Sequence, residues 1–466
     1  MRYDAAIIGA GAEGLAAAAL LAGAGARTIV VERSERAGGR ATTREFHPGF
    51  RASPFADELP PIPADIYWAL DLARRGAIFR PAPVSPAARR FLRDVERRAA
   101  DIRARAVAGI DSAPDHSFFS RPAVPAPWPG EDWMALSLAD VLAREPPDIA
   151  AHLATAALSG SVADPYLAGS ALHLLTLPRS GFVTGGLASL ANALVGAAHE
   201  AGADISLGHD VTDIRHAKGR VSGIGLADGS EIEARAVIST LDLKRTFLSF
   251  FQWNALPKEI VHAVGTFRMA GAAGRVLFAL DTMLPDAARD RIHVSSDLER
   301  LAAANTAWRA CTIAPRLPVT LRIVSAADPS LAPVGRSVVT ATLGAVPYRL
   351  FDGAWTREKR EALRAQALAA LEVTMPGASA HVIAAEVIAP PDIEEALSAT
   401  DGDLIGGELA ADQMLSAGPW REHPFPRCPL KGLYLAGSWL AMSGTCAAGA
   451  AAARTVAADI ASGTLK

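Results

Sequence analysis

Three glycines near the beginning of the chain, Gly9, Gly11 and Gly14, have the spacing G-x-G-x-x-G. Glycine permits a tight turn at the first position, and at the second it lets the backbone approach a pyrophosphate. The third lets the following helix pack closely on the preceding strand. Glu32 follows 18 residues after Gly14. A carboxylate there accepts hydrogen bonds from the ribose hydroxyls and repels a 2′-phosphate, so the pattern predicts a site for FAD or NAD rather than NADP.

Two apolar segments and a helix of small residues surround this glycine loop and must hold it in position. Residues 5–9, AAIIG, form an apolar run typical of a strand buried on both faces. Residues 14–25, GLAAAALLAGAG, indicate a helix that ends at Gly23 or Gly25, and residues 26–32, ARTIVVE, indicate a second buried strand. A helix in this place directs its free N–H groups and its positive dipole end at the phosphates. We therefore predict a β-α-β unit at the beginning of the chain.

A second glycine turn follows Glu32 in the stretch ERSERAGGRATT, which contains Gly38, Gly39 and Arg40. Two glycines let the backbone come close to a diphosphate, and a guanidinium neutralises its charge. On these residues the sequence resembles the flavoprotein superfamily of amine oxidases and phytoene desaturases, whose fingerprint continues with a G-G-R or G-G-x element. The resemblance implies FAD rather than NAD, with this turn along the pyrophosphate and ribitol. We assign Arg33, beside Glu32, to the same cofactor site.

A later segment resembles the second part of the FAD domain in this superfamily. Residues 180–214 contain a glycine turn at Gly185–Gly186, an amphipathic helix and a strand. Two further strands are predicted on either side of the D-G turn at Asp228–Gly229. By the resemblance, the backbone near Val211 faces the adenine of FAD.

The final segment, residues 431–462, contains a strand that runs into Gly437, a turn of small residues and a terminal helix. In the superfamily that this segment resembles, the N-terminus of this helix points at the N1–C2=O end of the flavin, where negative charge develops on reduction. The resemblance therefore implies cofactor contacts from residues of this turn, namely Gly437, Ser438, Gly444 and Thr445.

No strong catalytic acid or base is visible in the sequence, so the catalytic residues stay unknown. The side chains that the resemblance brings nearest to the flavin are Ser438, Trp439, Thr445 and Cys446. In this superfamily the flavin can act nearly alone, and the protein contributes position, exclusion of water and charge. Whether the flavin is covalently attached is left open.

Two further segments narrow the resemblance to one branch. Residues 47–76 and 401–420 resemble the phytoene dehydrogenase-like branch, which includes the pyridine nucleotide-disulphide oxidoreductase domain 2 proteins. Carotene desaturases usually carry an H-P-G-G-G-type turn after the last strand, where this chain reads WLAMSGTCAAG. Monoamine-type oxidases place paired aromatics and a covalent-flavin cysteine near the flavin. Here Trp420 and Trp439 are the nearby aromatics, and Cys446 does not stand in that context.

The length of 466 residues predicts two domains, because a single core stops growing well below that size. The predicted fold class is α/β, with a discontinuous Rossmann-type FAD-binding domain of the glutathione reductase-like kind and an α+β substrate domain. We assign residues 1–60, 180–245 and 402–466 to the FAD-binding domain. Residues 61–179 and 246–401 are assigned to the substrate domain.

Two features of the predicted substrate domain bear on its substrate. The segments GRVLFALD and PVTLRIV are typical of strands, and in this superfamily an antiparallel sheet roofs the substrate cavity. Residues 150–177 are markedly apolar. They predict either the lining of a tunnel for a lipid-like substrate or a plain pair of buried helices.

Composition and charge argue against several classes of function. The chain has 46 basic and 49 acidic residues, and its formal net charge of −3 offers no attraction to nucleic acid. Cys311, Cys428 and Cys446 form no C-x-x-C pair, which argues against a zinc knuckle and a redox-active disulfide. The histidines show no metal-ligand spacing to one another, so we expect no metal.

No uninterrupted apolar run reaches the roughly 18 to 20 residues that span a bilayer. Residues 15–26 are similar to the apolar core of a signal peptide, but Asp4 and Glu13 stand where a basic lead-in belongs. We therefore predict a buried helix there and expect a soluble, cytoplasmic protein. Contact with a membrane surface and the oligomeric state stay open.

Three functions fit these observations. The first is an FAD-dependent dehydrogenase or desaturase that transfers a hydride from a C–H bond of an apolar small molecule to flavin N5 and passes the electrons to oxygen or a quinone. The second is an amine or amino-acid oxidase with the same FAD domain. The third is a flavin-holding interaction protein without turnover.

Overall fold

The computed structural model describes residues 2–81, 90–97, 133, 135–177, 181–252, 254–269, 271–285, 292–294, 296–410, 413, 425–437 and 444–465. The strands of these residues are β1 Arg2–Ile8, β2 Thr28–Val31, β3 Arg44–His47, β4 Phe50–Ala52, β5 Phe79–Pro81, β6 Gly181–Val183, β7 Asp204–Ser206, β8 Val211–Ala217, β9 Arg220–Leu226, β10 Glu231–Ser239, β11 Gly274–Leu280, β12 Ile292–Val294, β13 Val319–Ile323, β14 Ser337–Leu343, β15 Val382–Ile388 and β16 Leu433–Leu435.

The labelled α-helices are α1 Ala12–Gly23, α2 Ala64–Ala69, α3 Leu138–Leu142, α4 Pro147–Ala157, α5 Ala188–Glu200, α6 Lys258–Thr266, α7 Leu298–Arg309, α8 Val324–Ala327, α9 Arg357–Thr374, α10 Pro390–Leu397 and α11 Ala447–Ala461. Residues 90–97 are also helical. Shorter helices of the 3₁₀ type occur at Ser170–Thr176, Pro329–Leu331, Ala378–His381 and Thr400–Gly402, and a π-helical turn occurs at Arg245–Ser249.

The larger sheet has seven strands in the order β7-β2-β1-β10-β9-β8, and β16 also pairs with β10. Strands β7, β2, β1, β10 and β16 run parallel, whereas β9 runs antiparallel to both β10 and β8. The predicted β-α-β unit is therefore present as β1, α1 and β2, and α1 ends at Gly23, one of its two predicted ends. The predicted strands on either side of Asp228–Gly229 are β9 and β10.

This sheet is covered on both faces, which is the arrangement that an apolar parallel sheet requires. One face packs on α1, α5 and α11 through Leu15, Leu194 and Val456. The other face packs on the π-helical turn and α6 through residues such as Phe247 and Val264. Helices α1 and α11 therefore lie on the same face of the sheet. Their N-terminal ends are next to each other, near the carboxyl end of β1.

The smaller sheet has five antiparallel strands in the order β12-β13-β14-β11-β15. The predicted strands GRVLFALD and PVTLRIV correspond to β11 and β13. One face packs on α9 through Phe278 and Leu371. The opposite face packs on the β3–β4 hairpin, where Phe50 contacts a cluster that contains Leu277 and Val338.

The strands of the larger sheet come from the three segments that the sequence assigned to the FAD-binding domain, and those of the smaller sheet come from residues 246–401. The boundaries of the two domains stay a prediction.

Residues 150–177 form much of α4 and the 3₁₀ helix Ser170–Thr176, which pack on each other in a core that also contains Leu138 and Trp133. This packing matches the buried pair of helices rather than the tunnel lining. Every helix in the described ranges is too short or too polar to span a bilayer.

Candidate functional site

A cleft opens at the carboxyl ends of the parallel strands β1, β2 and β10, where open α/β sheets bind their ligands. Gly9 follows β1, Glu32 follows β2, and Thr240 follows β10. The described residues of its wall are Gly9, Gly11, Ala12, Glu13, Glu32, Gly38, Gly39, Arg40, Ala41, Leu59, Pro60, Thr240, Leu241, Asp242, Leu397, Ser398, Ala399, Asp403, Leu404 and Thr445.

The three glycines of the first loop have different surroundings. Gly9 has φ +99°, and a Cβ built on it would lie 2.4 Å from the hydroxyl oxygen of Thr240. A Cβ on Gly14 would lie 2.0 Å from the carbonyl oxygen of Gly9, so this residue lets α1 pack against the end of β1. A Cβ on Gly11 would meet no heavy atom within 4 Å, since this position faces the open cleft. The backbone of Gly11 is thus the part of the loop that a ligand can approach most closely.

The second glycine turn lies directly against the first. Gly38 donates its backbone N–H to the carbonyl of Ala10 at 2.8 Å, and a short parallel bridge joins Gly38 to Gly11. A Cβ on Gly39 would lie 3.3 Å from the Cα of Gly11, and its φ of +54° is in the left-handed region. The two turns therefore form one continuous backbone surface along the cleft.

Glu32 is half-buried at the edge of this surface. Its Oε2 accepts the backbone N–H of Ala10 at 2.8 Å, and its Oε1 accepts that of Ser34 at 2.8 Å. Each carboxylate oxygen keeps a further lone pair with which to accept a ribose hydroxyl. Arg33 is exposed, donates to the carbonyl of Glu395, and is not part of the described wall. Its assignment to the cofactor stays a prediction.

Arg40 places a positive charge in the wall of the cleft. Its guanidinium donates to the carbonyl of Leu404. Burial lowers the pKa of Arg40, and the negative charges of Glu13 and Asp403 oppose that shift. The guanidinium is therefore held in place by a backbone acceptor and flanked by two carboxylates.

Glu13 is a residue of the site that the sequence analysis did not assign. Its Oε1 accepts the backbone N–H of Cys446 at 2.8 Å, and its Oε2 accepts that of Gly449 at 2.8 Å. Burial raises the pKa of Glu13 to about 7, while these hydrogen bonds and the charge of Arg40 act in the opposite direction. The signal in the sequence is an acidic residue directly before the third glycine of the motif.

The last glycine turn reaches the cleft through Thr445. Its hydroxyl donates to the carbonyl of Pro60 at 2.6 Å, which fixes the turn against another part of the wall. Gly444 has φ +103°, and a Cβ on it would lie 2.6 Å from the carbonyl oxygen of Pro61. Gly437 is buried two residues after the end of β16 and is not part of the described wall.

Two of the proposed flavin-proximal residues, Ser438 and Trp439, lie outside the described residues. Cys446 is fully buried, and its thiol faces the carbonyl of Ala12 at 3.6 Å rather than the described cleft wall. Burial, together with the charge of Glu13, raises the pKa of the Cys446 thiol well above its usual value. This thiol is therefore protonated at neutral pH.

Val211 lies at the beginning of β8, and its side chain packs in the core with Ile29 and Val31. It is connected to the cleft through His209, whose backbone N–H donates to the carbonyl of Glu32 at 2.9 Å. Val211 is not part of the described wall. The contact of its backbone with adenine stays a prediction.

The wall fits a bound FAD in its charge and in its backbone. Gly11 and Gly39 leave room at the position of a diphosphate, and the first turn of α1 presents its positive dipole end there. Glu32 has acceptor capacity for a ribose, and Arg40 supplies positive charge. These residues would hold the adenosine diphosphate half of FAD, and the Thr445 turn would face its other half.

Comparisons with known proteins agree with this fit. Residues 4–250 match the family model described as "FAD dependent oxidoreductase", and residues 141–461 match the one described as "Flavin containing amine oxidoreductase". The chain is similar to pyridine nucleotide-disulfide oxidoreductase domain-containing protein 2 of Rattus norvegicus, with 27% identity over 93% of this chain and 89% of the relative. It is also similar to 4,4'-diaponeurosporene oxygenase of Staphylococcus haemolyticus, with 25% identity over 51% of this chain and 46% of that protein.

The fold is similar to that of cyclohexylamine oxidase from Brevibacterium oxydans, with a TM-score of 0.61, 16% sequence identity and coverage of 100% of both chains. At this identity the similarity bears on the fold alone. Together, the family matches and this structure confirm the predicted fold class and the predicted cofactor, FAD.

Proposed function

Because the chain belongs to the flavin-containing amine oxidoreductase family and is an FAD-dependent oxidoreductase, we propose that it acts as a dehydrogenase or desaturase on an apolar small molecule. When bound, FAD supplies the acceptor for a hydride that leaves a C–H bond of the substrate. The product would contain a new C=C or C=N bond. The family to which the chain belongs is the one that its glycine turns resemble.

The observation that carries this proposal is the chemical character of the described cleft wall. It contains no aromatic, histidine, lysine or cysteine side chain among the residues that the structure describes there. Beyond the glycine turns, its apolar residues include Leu59, Pro60, Leu241, Leu397 and Leu404. A wall of this kind offers no nucleophile beside the bound FAD, which fits chemistry that the flavin carries out itself.

The protein residues of the wall hold and orient rather than react. Thr445 fixes Pro60, Arg40 is anchored on the carbonyl of Leu404, and the carboxylate of Glu13 is bound by two backbone amides. These contacts support a preorganised cleft. Dehydrogenation also releases a proton from the substrate, and no described residue is assigned as its acceptor.

Sequence similarity supports the same proposal. The relative from rat is similar to this chain along most of its length. The relative from Staphylococcus haemolyticus is named 4,4'-diaponeurosporene oxygenase, and we propose a substrate of a similar chemical kind for the present chain.

Oxidation of an amine is the second candidate, favoured by the match to an amine oxidoreductase family over residues 141–461. A cationic amine would need a carboxylate with free acceptor capacity. Asp242 already accepts the backbone N–H groups of Arg245 and Thr400 and the hydroxyl of Thr400. Asp403 accepts the backbone N–H groups of Ile405 and Gly406.

The test mixes the FAD-loaded protein with candidate substrates in the absence of oxygen. Reduction of the flavin is measured as the loss of the absorbance of its oxidised form. We expect polyene or other lipid-like compounds to bleach the flavin and a panel of amines and amino acids to leave it oxidised. Bleaching by amines, with hydrogen peroxide released in air, would replace the proposal with the second candidate. Bleaching by dithionite alone, with no turnover of any substrate or acceptor, would indicate a flavin-holding protein instead.

A further inference from the structure

The side chain of Glu13 connects two helices whose N-terminal ends both lie at the cleft. Its backbone is part of the first turn of α1, and its carboxylate accepts N–H groups of Cys446 and Gly449 at the beginning of α11. The two helices pack so closely that a Cβ on Gly449 would lie 2.0 Å from the carbonyl oxygen of Glu13. This contact leaves the carboxylate little freedom to move away from the cleft.

The charged and titratable groups around Glu13 come from several elements. Arg40 faces it from the second glycine turn, and the thiol of Cys446 faces it from the beginning of α11. The negative charge of Asp403 acts on Arg40 as well. Two more carboxylates of the described wall, Glu32 and Asp242, surround the same cleft. Glu13 is therefore a buried acid next to one cation, in a cleft that already holds several negative groups.

We propose that Glu13 takes up a proton when FAD binds, so that retention of the cofactor depends on pH. FAD carries two phosphate charges, and a negative charge placed in this cleft disfavours an ionised carboxylate in its wall. The neutral acid can still accept a backbone N–H through its carbonyl oxygen. The inference rests on FAD binding, which the family matches establish, and not on the substrate proposed above.

The direction of the pH dependence follows from linkage. Burial gives Glu13 a pKa of about 7 without the cofactor, and the bound anion raises it further. FAD consequently binds most tightly at pH values where Glu13 is already neutral, and its affinity falls as the pH rises above 7. For a bound-state pKa one to two units higher, the dissociation constant of FAD should increase about tenfold between pH 6.5 and 8.5.

Dilution of the holoprotein provides the measurement. The fluorescence of released FAD gives the dissociation constant at each pH, and an indicator dye in weakly buffered solution counts the protons released with it. We expect about 0.4 to 0.8 proton for each FAD released near pH 8 and almost none near pH 5.5. A dissociation constant that does not change across this range, or release of FAD without protons near pH 8, would overturn the proposal.

The variant Glu13→Gln keeps an acceptor for one backbone N–H but cannot ionise. We expect its FAD affinity to be independent of pH from 6.5 to 8.5 and to exceed that of the wild type at pH 8.5. Glu259→Gln is the matched control, because Glu259 is also an acidic residue in the first turn of a helix, α6, but is exposed. An unchanged pH profile in Glu13→Gln would assign the dependence to another group and overturn the proposal. If this variant does not fold, the proton count on the wild-type protein still decides the question.

Discussion

The carbonyl oxygen of Gly9 lies 2.0 Å from the point where a side chain of Gly14 would begin. Gly9 and Gly14 are therefore in close contact where α1 packs against the end of β1. Gly11, between them in sequence, has open space at the equivalent point. The same motif therefore contains one glycine that the fold requires and another that only a ligand requires, and substitutions can separate the two requirements.

Replacing Gly14 with Ala should destabilise the protein whether or not FAD is bound. The added methyl group must displace the end of β1, and overpacking of this kind costs about 1–3 kcal/mol. Denaturant unfolding of the cofactor-free protein measures the loss. Gly23→Ala is the control in the same helix, since a Cβ there meets no heavy atom within 4 Å. Equal losses in the two variants would contradict the role assigned to Gly14.

Replacing Gly11 with Val should leave the fold nearly intact and abolish cofactor retention. Gly11 has φ −72° and ψ 177°, which any residue adopts, so the cost to folding is limited to a poorer N-cap, about 1 kcal/mol. The new side chain enters the cleft instead. The flavin absorbance of the purified protein is the measurement. A variant that purified with its full complement of FAD would show that the phosphates lie elsewhere.

Much of this site could be predicted because its signals are local in sequence. The β-α-β unit follows from the glycine spacing and from two apolar runs, and Glu32 follows from its position after the second run. Glu13 could not be predicted in the same way. Its carboxylate binds the amide of Cys446, 433 positions along the chain, and only the packing of α1 on α11 creates that contact.

The assignment of Cys446 to the flavin region stays a prediction, and its side chain shows what sequence reasoning cannot supply. The resemblance implies that this turn contributes to the site, and Thr445 lies in the wall of the cleft. The direction of each side chain depends on the backbone of the turn, however. Cys446 has φ +67° at the beginning of α11, and its thiol is directed into the protein towards Ala12. No pattern in the sequence reports that angle.

Removing the carboxylate of Glu32 should weaken FAD binding. In Glu32→Ala the bound cofactor loses its hydrogen bonds to the carboxylate, each worth about 1.5–3 kcal/mol, which corresponds to at least a tenfold increase in the dissociation constant. The N–H groups of Ala10 and Ser34 also lose their acceptor. Titration with FAD measures the change. Glu35→Ala is the control, because Glu35 is exposed in the same loop and outside the described wall, and a similar loss there would contradict the prediction.

The ion pair between Arg275 and Asp57 should anchor the wall of the cleft to the smaller sheet. Arg275 donates to Asp57 at 2.7 Å, and their side chains are only 4% and 14% exposed. Burial alone would raise the pKa of Asp57, but the charge and the hydrogen bond of Arg275 hold it below its usual value. Asp57 stands two residues before Leu59, which lines the cleft.

Asp57→Asn leaves the guanidinium of Arg275 buried without its counter-charge, so we expect a loss of about 3–5 kcal/mol in the free energy of unfolding. Faster release of FAD from the same variant would show that the pair also positions the wall. Asp352→Asn is the control, because Asp352 forms an ion pair with Lys359 while 70% of its own side chain is exposed. Exposed pairs contribute about 0–1 kcal/mol, and an equal loss in both variants would contradict the prediction.

Buried His173 should make the protein sensitive to mild acid. Its side chain is 1% exposed, and its Nδ1 lies 3.1 Å from the hydroxyl oxygen of Ser161. Burial lowers the pKa of His173 to about 4. Between pH 6.5 and 4 the unfolded chain therefore binds a proton at this residue that the folded protein does not. The free energy of unfolding must fall as the pH decreases through this range, whereas above pH 6.5 the residue contributes no pH dependence.

At pH 5 this residue lowers the free energy of unfolding by about 2 kcal/mol. Each pH unit below the ordinary histidine pKa of 6.5 contributes roughly 1.4 kcal/mol. The measurement is urea unfolding of the wild type and of His173→Gln at pH 7.5 and pH 5. Glutamine keeps a partner for Ser161 but does not titrate, so the variant should lose about 2 kcal/mol less than the wild type on acidification. His262→Gln, at an exposed position on α6, should lose as much as the wild type. If His173→Gln were as sensitive to acid as the wild type, His173 would have to be protonated in the folded protein at pH 5, and the prediction would be wrong.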